Sequence, residues 1–484
     1  MRGVAVLAAR AAAQKKGFEV VAQRRDADGE MIDRALEIVR KFICERDVVL
    51  FGGLAIDYAL RLKGASIYPD DQRPDFDFLS TRSVEDAFDL ADILANEGFP
   101  GVAAVRAIHV QTMKVRVDAV WVADVGYVPP DVYAAIPTFE YRGMRVVHPD
   151  FQRLDIHLAF CFPFNGPPRE DVFHRWKKDA HRLNLLQELY PVTVAAAAAA
   201  AGGLSKIRGT LALPVVGPSA GELRVALHGF AAYSALRSAL DELAGAEADV
   251  GAPRLELTFP DEKTVEVESP VGDECGVVFA SPYPEEAVRG LPDVTWYDPY
   301  MEVCPELARA GGAVVLSTQD RLLAANVVAV APGVRARTVT PHYLLEWLLL
   351  GSHRAPDETQ KQVYRAYYAH TLEILNAVEV IYAGLIAGGA NEAETMELYS
   401  KSPFSPSVRT LGEVNNSEAY IINMASAAAK LKDTPPAVLH LPPDLDARFA
   451  GLPPRRYVPG KTRPPAFDYN ACVLFRRSGL ARPK

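Results

Sequence analysis

An α/β fold in more than one domain is what this sequence predicts, and three observations predict it. Apolar runs with strand character, Asp47–Phe51 and Leu223–His228, each end at a glycine and pass into helical spacing. A stretch of Ala, Gly and Pro, Pro191–Pro218, lies between those two units and reads as a domain boundary. The chain, at 484 residues, exceeds what one ordinary core organises.

The first unit follows in order. Helical periodicity covers Met31–Cys44, then comes the strand Asp47–Phe51, and a helix fits Leu54–Leu62. A loop carrying Pro69 and Pro74 leads to a strand, Asp75–Leu79, and Glu85–Asn96 reads as a helix. Thr112–Val128 alternates like a hairpin, and Glu170–Leu189 is a helix that closes the unit. In the second unit, strands are expected near Leu223–His228, Arg254–Phe259, Thr264–Glu268, Gly276–Ala280 and Gly312–Leu316, followed by helical pattern over Pro341–Leu431. The expected division is an N-terminal arm, 1–30, a first domain, 31–192, a second, 205–340, a helical region, 341–433, and a Pro/Arg-rich tail, 434–484. Leu50-Phe51-Gly52-Gly53-Leu54-Ala55 resembles Leu227-His228-Gly229-Phe230-Ala231-Ala232, which suggests duplication, although such junctions also recur by chance.

A net charge of −9 argues against a protein that coats nucleic acid with its whole surface. It leaves room for a local basic track, and the tail holds nine Lys or Arg against three Asp. The five cysteines are dispersed without a CxxC pair, so reduced and mostly buried thiols are expected. The apolar start, Val4–Ala13, is followed by Gln14-Lys15-Lys16 and reads better as an amphipathic helix than as a signal peptide. No run reaches the length of roughly 18 to 20 apolar residues needed for a membrane span.

The chemistry is concentrated in Gly52-Gly53 and Asp75-Phe76-Asp77. Residues two apart on a strand share a face, so Asp75 and Asp77 would present their carboxylates together. Neighbouring like charges are tolerated when a cation lies between them, and hard oxygen ligands suit Mg²⁺. A glycine pair at a helix N-terminus lets backbone N–H groups approach a triphosphate. Alone, each motif is a turn or a solvated pair; in this order they fit two-metal nucleotidyl transfer. The hairpin offers a third carboxylate, Asp118 or Asp124. Asp118 falls at the expected turn, whereas Asp124 shares parity with Val120 and Val122, where a carboxylate is costly unless something satisfies it. On the closing helix, Lys177 or Lys178 with Arg182 could hold phosphates, against the bland reading of a solvated face partly neutralised by Glu170, Asp171 and Asp179.

Three segments carry a family resemblance: Phe51–Ile56, Pro74–Ser80 and Val122–Pro129. They resemble the catalytic poly(A) polymerases of nucleocytoplasmic large DNA viruses, and Arg175–Leu183 through Tyr190-Pro191 is similar to the stretch that follows there. The resemblance implies a polymerase-β-like nucleotidyltransferase domain, a second, degenerate nucleotidyltransferase-like domain and C-terminal helices. It places metal-binding aspartates at Asp75 and Asp77, the third at Asp124 with Asp118 still open, and nucleotide-loop glycines at Gly52 and Gly53. It further implies Mg²⁺ or Mn²⁺ as cofactor, ATP and an RNA 3′ end as substrates, and a homodimer or an accessory processivity or cap-modifying subunit. The setting would be host cytoplasm or virion, without a membrane. Two rivals stand beside it: the same chemistry on a tRNA, small-molecule or protein acceptor, and a non-catalytic RNA-binding protein of the same fold.

Overall fold

The computed structural model describes residues 29–107, 111–118, 120–161, 172–192, 204–210, 222–245, 250–261, 264–271, 277–280, 294–297, 307–310, 314–317, 323–331, 334–355, 357–400, 402–404 and 452–469. The N-terminal arm up to residue 28, most of Pro191–Pro218, and Arg448, Arg476, Arg477, Arg482 and Lys484 of the tail lie outside them. Two compact units divide the chain. One comprises 8–153, 178–190 and 430–484; the other comprises 1–7, 154–177 and 191–429.

The first unit begins with α1 (Gly29–Glu45), whose Ile32, Ala35, Val39, Phe42 and Ile43 recur at helical spacing and are buried. Then come β1 (Val49–Phe51), α2 (Gly52–Arg61), β2 (Phe76–Ser80) and α3 (Ser83–Asn96). They are followed by β3 (Ala103–Arg106), β4 (Thr112–Val117), β5 (Val120–Tyr127) and α4 (Pro130–Ala135). A short hairpin, β6 (Thr138–Tyr141) with β7 (Met144–Val147), precedes α5 (Pro149–Cys161) and α6 (Val172–Leu189). After β8 to β17 of the second unit, described below, the edge of the first sheet is completed by β18 (Arg456–Tyr457), and its order is β18-β3-β4-β5-β2-β1-β7-β6. One face is covered by α1 and α3, enclosing Val39, Leu50, Phe78, Leu90, Met113, Val115 and Val125. Arg153 of α5 is fully buried and holds α6 in place: its guanidinium pairs with Asp150 and donates to the carbonyls of Leu186 (2.6 Å) and Tyr190.

The tail differs from expectation. Its described part, 452–469, is an edge strand and a strap on this unit. β18 pairs antiparallel with β3, and the Tyr457 ring lies 4.4 Å from that of Phe88. Arg463, one of the nine tail cations, pairs with Asp89 and Asp92 of α3. Glu85 accepts from the Phe467 N–H (2.7 Å) and the Tyr469 hydroxyl (2.5 Å), and Tyr469 stacks on Tyr127 at 4.6 Å. The exposed edge of β3 explains the pairing, since an unpaired edge recruits any strand that can reach it.

The second unit holds β8 (Ser205–Thr210), β9 (Glu222–His228), α7 (Gly229–Ala244), β10 (Leu257–Asp261), β11 (Thr264–Ser269) and β12 (Val277–Ala280). It continues with β13 (Val294–Tyr297), β14 (Leu307–Ala310), β15 (Val314–Ser317), β16 (Leu323–Ala331) and β17 (Val334–Val339). Then come α8 (Pro341–Arg354), α9 (Glu358–Ala387) and α10 (Glu392–Ser400). The strands expected near Arg254–Phe259 and Thr264–Glu268 form a separate sheet, β10-β11-β8, and do not flank β9. Instead β9 lies in the order β12-β9-β17-β16. There it is antiparallel to β12 and parallel to β17, which is antiparallel to β16. That is the arrangement of β2-β1-β7-β6 in the first sheet.

Cys44 is exposed, and the side chains of the other four cysteines lie outside the described residues. One smaller expectation fails. Helix α9, at 30 residues, is long and apolar enough to cross a membrane by length and composition, with a window of mean hydropathy 1.3. It also carries Glu373 and Glu379; Val363, Tyr364, Tyr367, Tyr368 and Ile374 are buried, while 22% of its most apolar stretch is.

Glu85 anchors the strap twice, so Glu85→Ala should cost about 1–3 kcal/mol of stability. Thermal unfolding with limited proteolysis checks it: cleavage within 452–469 should accelerate, and unchanged cleavage would refute the strap.

Candidate active site

The site grows from one row across the first sheet. In register, Phe51 of β1 faces Asp77 of β2, Asp77 faces Asp124 of β5, and Asp124 faces Lys114 of β4. Neighbouring strands lie about 4.8 Å apart, so a register row is also a row of neighbouring side chains. Asp75 sits two residues before Asp77, just ahead of β2.

Directly after Phe51 the chain turns into α2 at Gly52, whose φ is +72°, a conformation that disfavours every side chain. A Cβ on Gly52 would also run into the Asp77 carboxylate, so the helix start can lie against that carboxylate only because the residue is glycine. Gly53 is glycine for a different reason: a Cβ there would meet the Tyr68 hydroxyl and the Arg182 guanidinium. Arg182 donates to Tyr68 at 2.8 Å and pairs with Asp179 at 3.4 Å, while its Nε is buried with no partner among the described residues.

The electrostatics follow from this crowding. Burial first, and then the charges of Asp75 and Asp124, hold the Asp77 carboxyl well above the usual carboxylate range, opposed by Lys114 and Arg182. Asp124 is likewise raised by burial, against the pull of Lys114, whose Nζ lies 2.5 Å from Oδ2. The other Asp124 oxygen, Oδ1, is buried and makes no hydrogen bond among the described residues. Trp121 backs the Lys114 ammonium at 5.6 Å.

Of the residues singled out from sequence, the structure gathers Gly52, Gly53, Asp75, Asp77, Asp124 and Arg182. Asp118 stands apart, exposed at the β4–β5 turn with φ +52°. The parity argument for Asp124 does not hold as framed. A regular hairpin through Val117 and Val120 would set Asp124 opposite Met113, on the core face. A bulge at Val122 shifts the register by one and brings Asp124 opposite Lys114 instead. The Lys177 side chain lies outside the described residues. At five positions from Arg182 it stands about 140° round the helix, whereas Lys178 shares the Arg182 face and is exposed. Sequence reasoning missed Tyr68 and the partnership of Lys114. The hairpin turn offered a hint of the second, but nothing signalled the first.

The donor set suits a hard divalent cation. Among the described residues no group of at least three Asp, Glu, His or Cys side chains closes into a ready cage. Mg²⁺, however, is commonly held by one or two carboxylates together with substrate phosphates and water. The orphaned Asp124 oxygen and the crowded Asp75/Asp77 pair fit such an ion.

A strand-borne carboxylate pair against a glycine turn at a helix N-terminus defines a nucleotidyltransferase. Residues 37–166 match the family model of the poly(A) polymerase catalytic subunit. A protein described as the poly(A) polymerase catalytic subunit of African swine fever virus (strain Badajoz 1971 Vero-adapted) is 37% identical over 487 residues, covering 96% of this chain and 97% of its own. A mimivirus protein of the same description is 28% identical over 159 residues, 32% of this chain and 26% of its own. The crystal structure of the Megavirus polyadenylate synthase superposes with a TM-score of 0.52 at 16% identity, over 78% of this chain and 76% of that one, a likeness of fold. The chain belongs to the catalytic poly(A) polymerase subunits of large DNA viruses, and it is a polynucleotide adenylyltransferase.

Lys114→Met should lower stability without metal by about 1–2 kcal/mol, discounted for partial exposure. It should also enlarge the stabilisation given by Mg²⁺, since the entering cation then relieves an uncompensated charge. Melting temperatures in EDTA and in Mg²⁺ test this, and an equal Mg²⁺ shift in both proteins would reject it.

Proposed function

We propose that Asp75, Asp77 and Asp124 hold the divalent cations of the adenylyl transfer, and that the ATP triphosphate lies over Gly52 and Gly53 with Arg182 beside it. The in-register contact of Asp77 with Asp124 on one side and with the Phe51–Gly52 turn on the other carries this reading. Mg²⁺ or Mn²⁺, when bound, supplies activation of the RNA 3′-hydroxyl and charge neutralisation of the leaving pyrophosphate. The chain's own residues do the rest. The glycine turn admits phosphate to the backbone N–H groups of α2, and Arg182 offers the same anion a buried Nε that has no partner among the described residues. Lys177 or Lys178 adds charge on the same helix. Lys114 keeps Asp124 in place in the absence of metal.

The second unit is, on this proposal, a nucleotidyltransferase copy that kept the frame and lost the chemistry. Its β9–α7 junction repeats the turn, with Gly229 at φ +55° after His228, whose backbone angles match those of Phe51. His228 faces Val278 where Phe51 faces Asp77, so valine occupies the carboxylate's register position. The Gly229 N–H is taken by His228 Nδ1 (2.5 Å), and burial holds that imidazole neutral, with its pKa pushed down to about 3. Phe230, in the place of Gly53, is fully buried against Trp347, Tyr364 and Tyr367. The RNA 3′ end is the acceptor, and its strand runs along a basic track that includes the exposed Arg455 and Arg456 beside the β3 edge. The relatives' description as catalytic subunits supports an accessory partner chain, with viral mRNA as substrate in the host cytoplasm or virion.

Asp77→Ala should reduce adenylate addition to an oligoribonucleotide at least a thousandfold, about 4 kcal/mol of transition-state stabilisation. A folded variant that tails RNA at the wild-type rate would overturn the site. Asp124→Asn should match that loss, and Asp118→Asn should leave the rate within about twofold.

A further inference from the structure

The loop between α2 and β2 carries a second device, and it converges on Tyr68. Asp57, at 1% exposure, accepts from the backbone N–H groups of Ile67 (2.9 Å) and Tyr68 (3.1 Å) through one carboxylate oxygen. Its other oxygen pairs with Arg61 at 2.5 Å, and Arg61 in turn donates to the Tyr68 carbonyl at 2.9 Å and to Asp70 at 2.7 Å. A buried carboxylate and its guanidinium therefore hold the Tyr68 backbone from both sides. Only Asp57 of the pair is buried, Arg61 being partly exposed, and a buried carboxylate is costly unless its bonds are made, so its commitment to one loop residue requires an account.

The side chain supplies it. The Tyr68 hydroxyl accepts from Arg182 Nη2, and the pair sits over Gly53 where a Cβ would collide with both. The hydroxyl is also within electrostatic reach of Asp75 and Asp77. A phenol offers one proton and two acceptor sites. Among the described residues no group accepts the Tyr68 proton, so it is available at the N-terminus of α2, and the Arg182 contact polarises the phenol as a donor.

We infer that Tyr68 is a substrate-binding residue, its hydroxyl donating with Arg182 to the triphosphate of the incoming nucleotide above Gly53. The inference rests on the proposed nucleotide site and deepens it. Asp57 and Arg61 are positioning residues that fix the loop so that the hydroxyl meets the anion without reordering.

Tyr68→Phe removes the hydroxyl and keeps the ring in its partly buried place. A lost hydrogen bond to a charged group corresponds to roughly a tenfold or greater loss of binding. The ATP KM should therefore rise about tenfold, with kcat within about twofold, unchanged RNA affinity and unchanged melting temperature. Inorganic tripolyphosphate, as a competitor of ATP, should weaken by the same factor, while adenosine should compete as before. A wild-type ATP KM would overturn the inference. So would a variant in which adenosine weakens as much as tripolyphosphate, because the hydroxyl would then serve the nucleoside. Asp77→Ala assayed in parallel separates the two failures. If that variant is inactive and Tyr68→Phe behaves as wild type, only the role of Tyr68 falls; if Asp77→Ala stays active, the site itself falls.

Discussion

Everything in the catalytic unit depends on one close approach, that of the Gly52 backbone to the Asp77 carboxylate. It needs a residue without a side chain, because the turn has positive φ and the space is already filled. It also needs a rigid floor, and the Phe51–Asp77–Asp124 register gives one, with Leu50, Phe78 and Val125 packed on the core side. A buried carboxylate crowded by two further carboxylates is costly unless cations accompany it, even with a helix start beside it. Lys114 and Arg182 supply part of that charge from within the protein. What they leave uncompensated is what the proposed divalent ion would neutralise.

How far this was legible in the sequence follows from the range of each determinant. The strand–Gly-Gly–helix junction and the Asp-x-Asp strand were legible because they rest on local rules: a two-residue period, and glycine where the backbone must turn. The strands and helices up to Tyr127 fell within a few residues of expectation for the same reason. β3 and the β6–β7 hairpin went unread, since runs of four residues each are too short to show a period. The surroundings of Asp124 could not be derived by counting. One extra residue at Val122 reverses which face the carboxylate occupies, and no composition rule marks that bulge. Tyr68 was hidden because its neighbours, Asp57 and Arg182, are 11 and 114 residues away in sequence.

The tail shows what a composition signal leaves out. Of its nine cations, Arg463 is committed to Asp89 and Asp92, acids that helical spacing puts on one edge of α3. Charge that is satisfied inside the fold contributes little to binding outside it. Arg456 differs, because strand alternation turns it to solvent while Tyr457 packs inward, and Arg455, just ahead of the strand, is exposed as well. Within 452–469, then, the strap separates structural cations from exposed ones, a distinction that counting charges does not make.

The second sheet shows how little of this frame the chemistry requires. Strand order, directions and even the left-handed glycine recur around β9, so the architecture does not need an ion to stand. What differs is the content of two positions. A valine stands opposite the junction in the carboxylate's register position, and the residue after the glycine is a phenylalanine buried among aromatics, where Gly53 leaves its side-chain space to Tyr68 and Arg182. His228 then satisfies the turn N–H that would otherwise face an anion. The second sheet thus satisfies its own turn, through the His228 bond to the Gly229 N–H and the packing of Phe230. The frame around Asp77 instead keeps crowded carboxylates, with Lys114 and Arg182 as the cations that oppose them.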